Sequence, residues 1–300
     1  MANAPAIKIV EVGPRDGLQS EPYTVPTSIK VELIDRLADA GLGVIETTSF
    51  VSDQAIPQLS DAESVYARLN RREGVRYPAL VPNERGYERA RAAGINDIAV
   101  FTAASEAFNQ HNINCSIEQA MARFAPVIAR AQADGVSVRG YVSTVMGCPY
   151  QGDVPVNDVV RVCEALHAAG CYEISLGDTI GVGTTRQAQA LIRSVAESIP
   201  IDQLAIHFHD TYGQALANIF ACLELGVKTV DSSVAGLGGC PYARGATGNV
   251  ATEDVIYMLD GMGCPTGVDL WALAQTGRWI AAELGRPHSR AGQAVLKTRQ

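Results

Sequence analysis

No stretch of this 300-residue chain reaches the roughly 18–20 uninterrupted apolar residues that a membrane-crossing helix requires, so no membrane association is expected. Basic residues are in deficit: 24 Lys and Arg against 32 Asp and Glu leave a net charge of −8, and the pI is 5.2. With no basic cluster to serve as a footprint for a phosphate backbone, nucleic acid is not an expected partner. No Cys-x-x-Cys occurs, and the seven cysteines are an odd number. Reduced thiols, most of them small core residues, fit this better than a disulfide framework or a zinc site. The opening Met-Ala-Asn-Ala-Pro has neither a basic segment nor an apolar one, and it is not the Arg- and Ser-rich run of a transit peptide, so a cytoplasmic location is expected. What remains is a globular chain with a substantial core, 47% hydrophobic and 19% charged, with a mean hydropathy of +0.06.

Short β-branched runs recur, each followed by a longer amphipathic segment. Strands are expected at residues 7–12, 44–48, 76–81, 97–102, 137–144, 172–176, 204–209 and 229–235. Helices are expected at 29–40, 62–70, 84–93, 117–133, 157–169, 185–198, 214–225 and 252–259, most of them closing on a glycine such as Gly41, Gly94, Gly135, Gly170, Gly226 or Gly261. Eight βα units at a spacing of about 30 residues suit a (βα)8 TIM barrel of ~250 residues better than an open doubly wound sheet of five or six strands. No tract rich in Pro, Gly or Ser marks a boundary. One domain over residues 1–300 is therefore expected, with a barrel over 7–262 and a C-terminal helical segment over 263–300: a helix at 268–284, then a packing arm or frayed tail.

A barrel of this class assembles its site at the C-terminal mouth. Strand 1 delivers Arg15-Asp16 there, strand 2 Glu46 to Ser49, strand 5 Arg139, Tyr141 and Ser143, strand 6 Ser175 to Thr179, strand 7 His207-Phe208-His209, and strand 8 Asp231. His207 and His209 share a face because side chains alternate along a strand. Two readings are open, a metal clamp and a pair of hydrogen-bonded structural histidines. With only five histidines in the chain and oxygen donors at neighbouring strand ends, the metal reading is preferred. The assembled ligand set is Asp16, His207, His209 and Asn249; two nitrogens, two oxygens and no thiolate point to a divalent metal ion, Mg²⁺ or Mn²⁺.

Arg15 beside Asp16 is either a surface ion pair or a stabiliser of a developing oxyanion, and its place at the mouth favours the second. Glu46 and Asp178 hold Arg15, orient a ligand histidine, or are simply buried hydrogen-bonding carboxylates; Glu253 is grouped with them as a supporting carboxylate. The segment 236–248 holds five glycines in thirteen residues. It reads as a phosphate cradle, an ordinary connection or, preferably, a lid that brings Cys240 into the site.

These strings together resemble the 3-hydroxy-3-methylglutaryl-CoA lyase family. The blocks that carry the resemblance are Val12-Gly-Pro-Arg-Asp-Gly-Leu-Gln19, Ile45-Glu-Thr-Thr-Ser-Phe-Val51, Ala103-Ala-Ser-Glu106, Asn112-Ile-Asn-Cys-Ser116, Gly147-Cys-Pro-Tyr150, Gly170 to Gly183, His207-Phe-His-Asp-Thr-Tyr-Gly-Gln-Ala-Leu-Ala-Asn218, Asp231 to Tyr242 and Gly248 to Asp254, spanning roughly residues 7 to 260. Arg-Asp-Gly and His-x-His-Asp are shared by a wider superfamily of acyl-CoA synthases, lyases and aldolases. Gly-Gly-Cys240-Pro-Tyr is the discriminating string, and the chain is too short for the extra domain of the condensing synthases.

The resemblance implies metal-assisted retro-Claisen cleavage of 3-hydroxy-3-methylglutaryl-CoA to acetyl-CoA and acetoacetate, of the leucine-catabolism or ketone-body type. In it Asp16, His207, His209 and Asn249 match the metal shell, His207 also a relay for the hydroxyl proton, Arg15 the enolate stabiliser, and Cys240 the loop thiol of proton transfer. Ser49, Ser175 and Thr179 are implied as donors to the acyl carboxylate, and Asn112 as a contact of the acyl-CoA substrate. One departure stands out: Asp53-Gln-Ala-Ile-Pro-Gln58 occupies the place where many members read Pro-Lys-Trp-Val-Pro-Gln, which would admit a longer 3-alkyl branch. Ser20 stands where Asn is frequent. The runner-up readings are a condensing synthase or pyruvate-type aldolase and, from another class, a CoA-ester-binding protein without turnover. A homodimer is expected.

Overall fold

The structure, a computed structural model of the chain, describes residues 6–239 and 248–298. Strand and helix alternate: β1 (Lys8–Glu11), α1 (Thr27–Asp39), β2 (Val44–Ile45), β3 (Thr48–Ser49), α2 (Ala62–Arg68), β4 (Ala79–Leu80), α3 (Glu84–Ala92) and β5 (Asp97–Ala103). Then come α4 (Glu106–Ile113), α5 (Ile117–Ala133), β6 (Ser137–Ser143), α6 (Val156–Ala169), β7 (Glu173–Asp178), α7 (Thr185–Val195), β8 (Leu204–Phe208), α8 (Ala215–Leu223) and β9 (Thr229–Ser232). Helices α9 (Thr252–Gly261), α10 (Leu270–Leu284) and α11 (Arg290–Lys297) complete the series.

The strands form one parallel sheet in the order β2-β1-β9-β8-β7-β6-β5-β4-β3. Its two ends, β2 and β3, are separated only by Glu46 and Thr47. Glu46 N donates to Glu11 O on one flank and Thr47 N to Pro78 O on the other, each at 2.9 Å. A single chain segment thus pairs on both sides, and the sheet curls back on itself. The eight expected strands are all present, the second in two pieces. Strand β4 is short because Pro78 and Pro82 bracket it and neither can donate to a ladder.

The period of two sorts side chains by face. Ile174 and Leu176 of β7, Ile206 and Phe208 of β8 and Val230 of β9 join the main apolar core beneath the helices, each such burial stabilising the fold by about 1.5–3 kcal/mol. The alternate residues of these strands, Glu173, Ser175, His207 and Asp231, with Arg139 and Tyr141 of β6, bond to one another inside the ring of strands. The apolar outer face holds the helices in place, which leaves the interior free to be charged.

Helix α5 begins and ends where expected: Ser116 Oγ accepts from Gln119 N, and the Gln119 side chain accepts from Ser116 N in return. Helix α9 does not stop at Gly261 but runs through it, ending before Gly263, which has φ of 71°. Helix α4 lies where no helix was expected. The expected helix at 268–284 starts at Leu270, because the Asp269 carboxylate accepts from Trp271 N and Ala272 N. The final segment is an arm and not a frayed tail: α11 is capped by Ser289 and buries Leu296. The six cysteines among the described residues are buried thiols, as the composition suggested. Among the described residues no helix is long and apolar enough to cross a membrane.

Candidate active site

After β1 the chain makes a tight turn over Gly13–Gly17, in which the N–H groups of Arg15, Asp16 and Gly17 converge on Val12 O at 3.2, 2.7 and 3.2 Å. The turn packs too closely for side chains at its ends. A Cβ at Gly13 would lie 2.6 Å from Glu11 Oε1, and one at Gly17 would lie 2.8 Å from Leu237 Cβ. This geometry pushes Arg15 and Asp16 into the mouth.

Arg15 is buried. Its Nε donates to Glu46 Oε1 and its Nη1 to Asp16 Oδ1 at 2.6 Å. The other Glu46 oxygen accepts from the Tyr141 hydroxyl at 2.7 Å, and that hydroxyl accepts from Arg139 Nη1 at 2.8 Å. Burial works against the Arg15 charge, but the carboxylates of Glu46 and Asp16 hold its pKa above the usual arginine value. Burial would also raise Asp16; the positive charge of Arg15, with contributions from His207 and His209, instead lowers it to about 2.

Across the mouth, one ligand atom from each of Asp16, His207 and His209 lies within 4.8 Å of the others. His209 is pushed down to about 4, mainly by burial and then by His207, with Asp16 opposing, so its imidazole is neutral at pH 7. Its Nδ1 is buried and finds no hydrogen-bond partner among the described residues. Asn249 is bridged to His209, and its Nδ2 donates to Asp16 Oδ2 at 2.8 Å and to Leu237 O at 3.1 Å.

A cavity of about 500 Å³ opens onto this cluster. Arg15, Asp16, Tyr141, His207 and His209 line its polar end; Val51, Ala55, Ile56, Pro57, Leu80, Phe101, Phe108 and Val142 form an apolar wall, with Thr179, Asn112 and Gly239 also in the lining.

Sequence reasoning thus brings Arg15, Asp16, His207, His209 and Asn249 together, and Glu46 takes the first of its alternatives by holding Arg15. Thr179 and Asn112 reach the cavity. Ser49 does not line it: its hydroxyl turns to Leu80 O at 3.4 Å. Ser175 sits deeper, donating to Asp231 Oδ2 at 2.7 Å. Cys240 lies outside the described residues.

Asp178 neither holds Arg15 nor orients a histidine. It pairs in register with Phe208, whose side chain points to the outer core, so Asp178 shares that parity; its carboxylate accepts from Val182 N and Gly183 N at 3.2 and 2.8 Å and ties down the following loop. Glu253 is likewise remote from the cluster. It accepts from Ala235 N at 3.1 and 2.9 Å and lies 3.1 Å from His288 Nε2, joining the turn after β9 to the C-terminal arm. The carboxylate that does face a candidate ligand is Asp231, 3.3 Å from His207 Nδ1. Its signal was parity: as an inward residue at the end of β9, it is the register partner of His207.

Comparison with known proteins gives a consistent picture. The model of the HMGL-like family matches residues 6–280. A cytoplasmic 3-hydroxy-3-methylglutaryl-CoA lyase of Mus musculus is 54% identical over 98% of this chain and 86% of its own length. A Pseudomonas aeruginosa protein named 3-hydroxy-3-isohexenylglutaryl-CoA/hydroxy-methylglutaryl-CoA lyase is 54% identical over 97% of both chains. The crystal structure of hydroxymethylglutaryl-CoA lyase from Pseudomonas aeruginosa superposes with a TM-score of 0.96 at 53% identity, covering 99% of this chain and 100% of that one. Agreement of this extent, in sequence and in three dimensions alike, leaves one conclusion: the chain belongs to the HMGL-like family.

Proposed function

We propose that the chain is a divalent-metal-dependent carbon–carbon lyase that cleaves 3-hydroxy-3-methylglutaryl-CoA to acetyl-CoA and acetoacetate. The observation that carries this reading is the polar end of the cavity, where a buried guanidinium faces a carboxylate and two imidazoles a few ångströms apart. The donors fit a small divalent ion. Asp16 is anionic, His209 is neutral with an unpartnered buried nitrogen, and no thiolate is in the set. Asp16, His207 and His209 would hold the ion, Mg²⁺ or Mn²⁺, and Asn249 would join them through its oxygen once the two ends of its amide exchange. When bound, the ion supplies a Lewis acid that acidifies the substrate's 3-hydroxyl and orients its oxygens.

The chain's own residues account for the remaining chemistry. As the C2–C3 bond breaks, its electron pair passes to the departing acetyl-CoA as an enolate, and the 3-hydroxyl carbon becomes the ketone of acetoacetate. Arg15, rigidly held by Glu46, is placed to stabilise the enolate oxygen. Of the His207 nitrogens only Nε2 turns to the cavity side, so Nε2 must serve whether that residue acts as ligand or accepts the hydroxyl proton. Cys240 is the proposed donor of the proton that quenches the enolate carbon. Thr179 and Asn112 are proposed substrate contacts. Incubation of the protein with the CoA ester and Mg²⁺ tests the reading: acetoacetate and acetyl-CoA should form in equal amounts, and no acetoacetate above the no-enzyme control would overturn it.

A second substrate is favoured by one observation. Ala55, Ile56 and Pro57, from the segment that departs from the family pattern, form part of the apolar wall, and the Pseudomonas aeruginosa relative is named for a branched isohexenyl substrate as well as the methyl one. A 3-hydroxyglutaryl-CoA with a longer 3-alkyl branch is therefore the proposed alternative substrate. A single-domain (βα)8 barrel with a helical C-terminal appendage, a homodimeric state and a cytoplasmic location complete the proposal; sedimentation and cell fractionation test the last two.

A further inference from the structure

The interior of the sheet carries a chain of alternating charges that ends on His207. From the bottom, Lys8 Nζ pairs with Glu173 Oε2. Glu173 Oε1 accepts from Arg139 Nε at 2.7 Å. Arg139 in turn grips Asp231 with both arms, Nη2 to Oδ1 at 2.7 Å and Nη1 to Oδ2 at 3.0 Å, in the forked geometry a guanidinium and a carboxylate share. Ser175 Oγ adds a third donor to Asp231 Oδ2 at 2.7 Å. The side chain of Asp231 is fully buried, and its remaining neighbour is His207 Nδ1 at 3.3 Å.

We propose that Asp231 is a positioning residue that fixes His207 in the Nδ1–H tautomer, leaving Nε2 bare and aimed at Asp16 and the cavity. The inference extends the proposed lyase reading, in which Nε2 is the working atom. An imidazole nitrogen without hydrogen, set against a buried carboxylate anion, would oppose lone pair to lone pair; a donating Nδ1–H satisfies both groups. Arg139 cannot rotate to release Asp231, because Glu173 holds its Nε from the opposite side and Tyr141 takes a further N–H. On the far side of the ring, Nε2 is 3.9 Å from Asp16 Oδ2, beyond hydrogen-bond reach, and no hydrogen bond holds Nε2 among the described residues. This tautomer is the minor one for histidine free in water, so the protein must impose it. A ligand or base needs an available lone pair, and a carboxylate behind the ring supplies orientation and basicity at once.

The test reads the ring nitrogens directly. Full-length protein labelled with ¹⁵N-histidine and freed of metal is examined by long-range ¹H–¹⁵N correlation at pH 8, with the His207→Gln spectrum assigning the signals. The expected pattern is a protonated Nδ1 and an unprotonated Nε2 on His207. A bare Nδ1 with a protonated Nε2 overturns the proposal whether or not the protein cleaves any CoA ester. In Asp231→Asn the expected result is a mixture of tautomers and an Mn²⁺ affinity, measured by electron paramagnetic resonance, weaker by about 10–100-fold. Unchanged affinity in a folded variant also overturns it. Should that variant fail to fold, the wild-type spectrum decides alone. Failure of the lyase reading would instead show as absent turnover with the tautomer intact.

Discussion

The Arg15 guanidinium and the Glu46 carboxylate form an ion pair that solvent hardly reaches, their side chains 7% and 1% exposed. Arg15 comes from the turn after β1 and Glu46 from the break between β2 and β3, and the Tyr141 hydroxyl locks the far oxygen of the carboxylate. Such burial is worth its desolvation only if the charge has a use at the mouth. Arg15→Gln is expected to lower kcat by about 10²–10³-fold, the cost of losing one preorganised oxyanion donor, and to lower the melting temperature as well, because the buried Glu46 carboxylate loses its cation. Glu46→Gln is expected to cost less of both, since Arg15 keeps its bond to Asp16. Steady-state kinetics beside calorimetry separates the two. An Arg15→Gln enzyme within tenfold of wild type would end the enolate-stabilising role.

Metal binding should appear as stability before it appears as rate. A ligand that binds only the native chain stabilises it by about 2.7 kcal/mol at a hundred times its Kd. Mn²⁺ added to chelator-treated protein is expected to raise the unfolding midpoint in this way. Asp16→Asn removes the anion on which Arg15, Asn249 and both imidazoles converge, and it should abolish the Mn²⁺ shift. Equal Mn²⁺ shifts in wild type and variant would place the ion elsewhere.

Which parts of this site could be read in advance follows from geometry. The eight strands were legible because β-branched runs and the caps between them are local signals, and α5 was found to the residue because Ser116 and Gln119 reciprocate across its first turn. Helix α4 was not, since Glu106-Ala-Phe-Asn-Gln-His-Asn-Ile113 buries only Phe108 and Asn109 and shows no apolar stripe. Arg15, Asp16 and the two histidines were legible because a turn and a two-residue period place them. Asp178 and Asp231 both lie at strand ends, and only the register separates them: Gly177 and Asp231 flank His207, while Asp178 falls beside Phe208 on the outer face. Register across a closed sheet is a non-local property that composition and spacing do not reveal.

Glu11 should make stability fall with rising pH. Its carboxylate is fully buried, accepting from Gly13 N, Val234 N and the Thr252 hydroxyl. Burial outweighs those bonds, and its pKa rises from 4.5 to about 7. Between these values the native chain keeps a proton that the unfolded chain has lost, so the stabilisation is complete below about pH 4.5 and is lost as pH climbs to about 7. The total is roughly 3 kcal/mol. Glu11→Gln has no charge to bury and should lack this slope. Melting temperatures of the two proteins at pH 5 and pH 8 test it: wild type should lose ground to the variant, and parallel pH curves would refute the assignment.

The apolar wall predicts a specificity change in one substitution. Ala55 stands at the exposed edge of the cavity. Ala55→Trp should fill the space a longer 3-alkyl branch would occupy. Its kcat/KM for such a homologue is expected to drop about tenfold or more relative to the methyl substrate, the usual worth of a methylene or two in an apolar pocket. A uniform loss on both substrates would mean that this wall does not sense the branch.

At the rim, the C-terminal arm reaches the cavity through Arg286. Its Nε lies 2.9 Å from Glu21 Oε1, and its Nη1 donates to Gly238 O at 3.4 Å. Glu21 lines the cavity; burial raises its pKa, and Arg286 pulls against that rise. Gly238 precedes Gly239, another lining residue that accepts from the Ser20 hydroxyl at 3.3 Å. One side chain of the appendage therefore fixes two edges of the mouth at once. Arg286 does not itself line the cavity, so Arg286→Met is expected to raise KM several-fold while kcat changes by less than a factor of three. Glu21→Gln should have a similar effect, and the double variant should be no worse than either alone, because the two residues act through a single contact. Additive losses in the double-mutant cycle would show that Arg286 and Glu21 work independently.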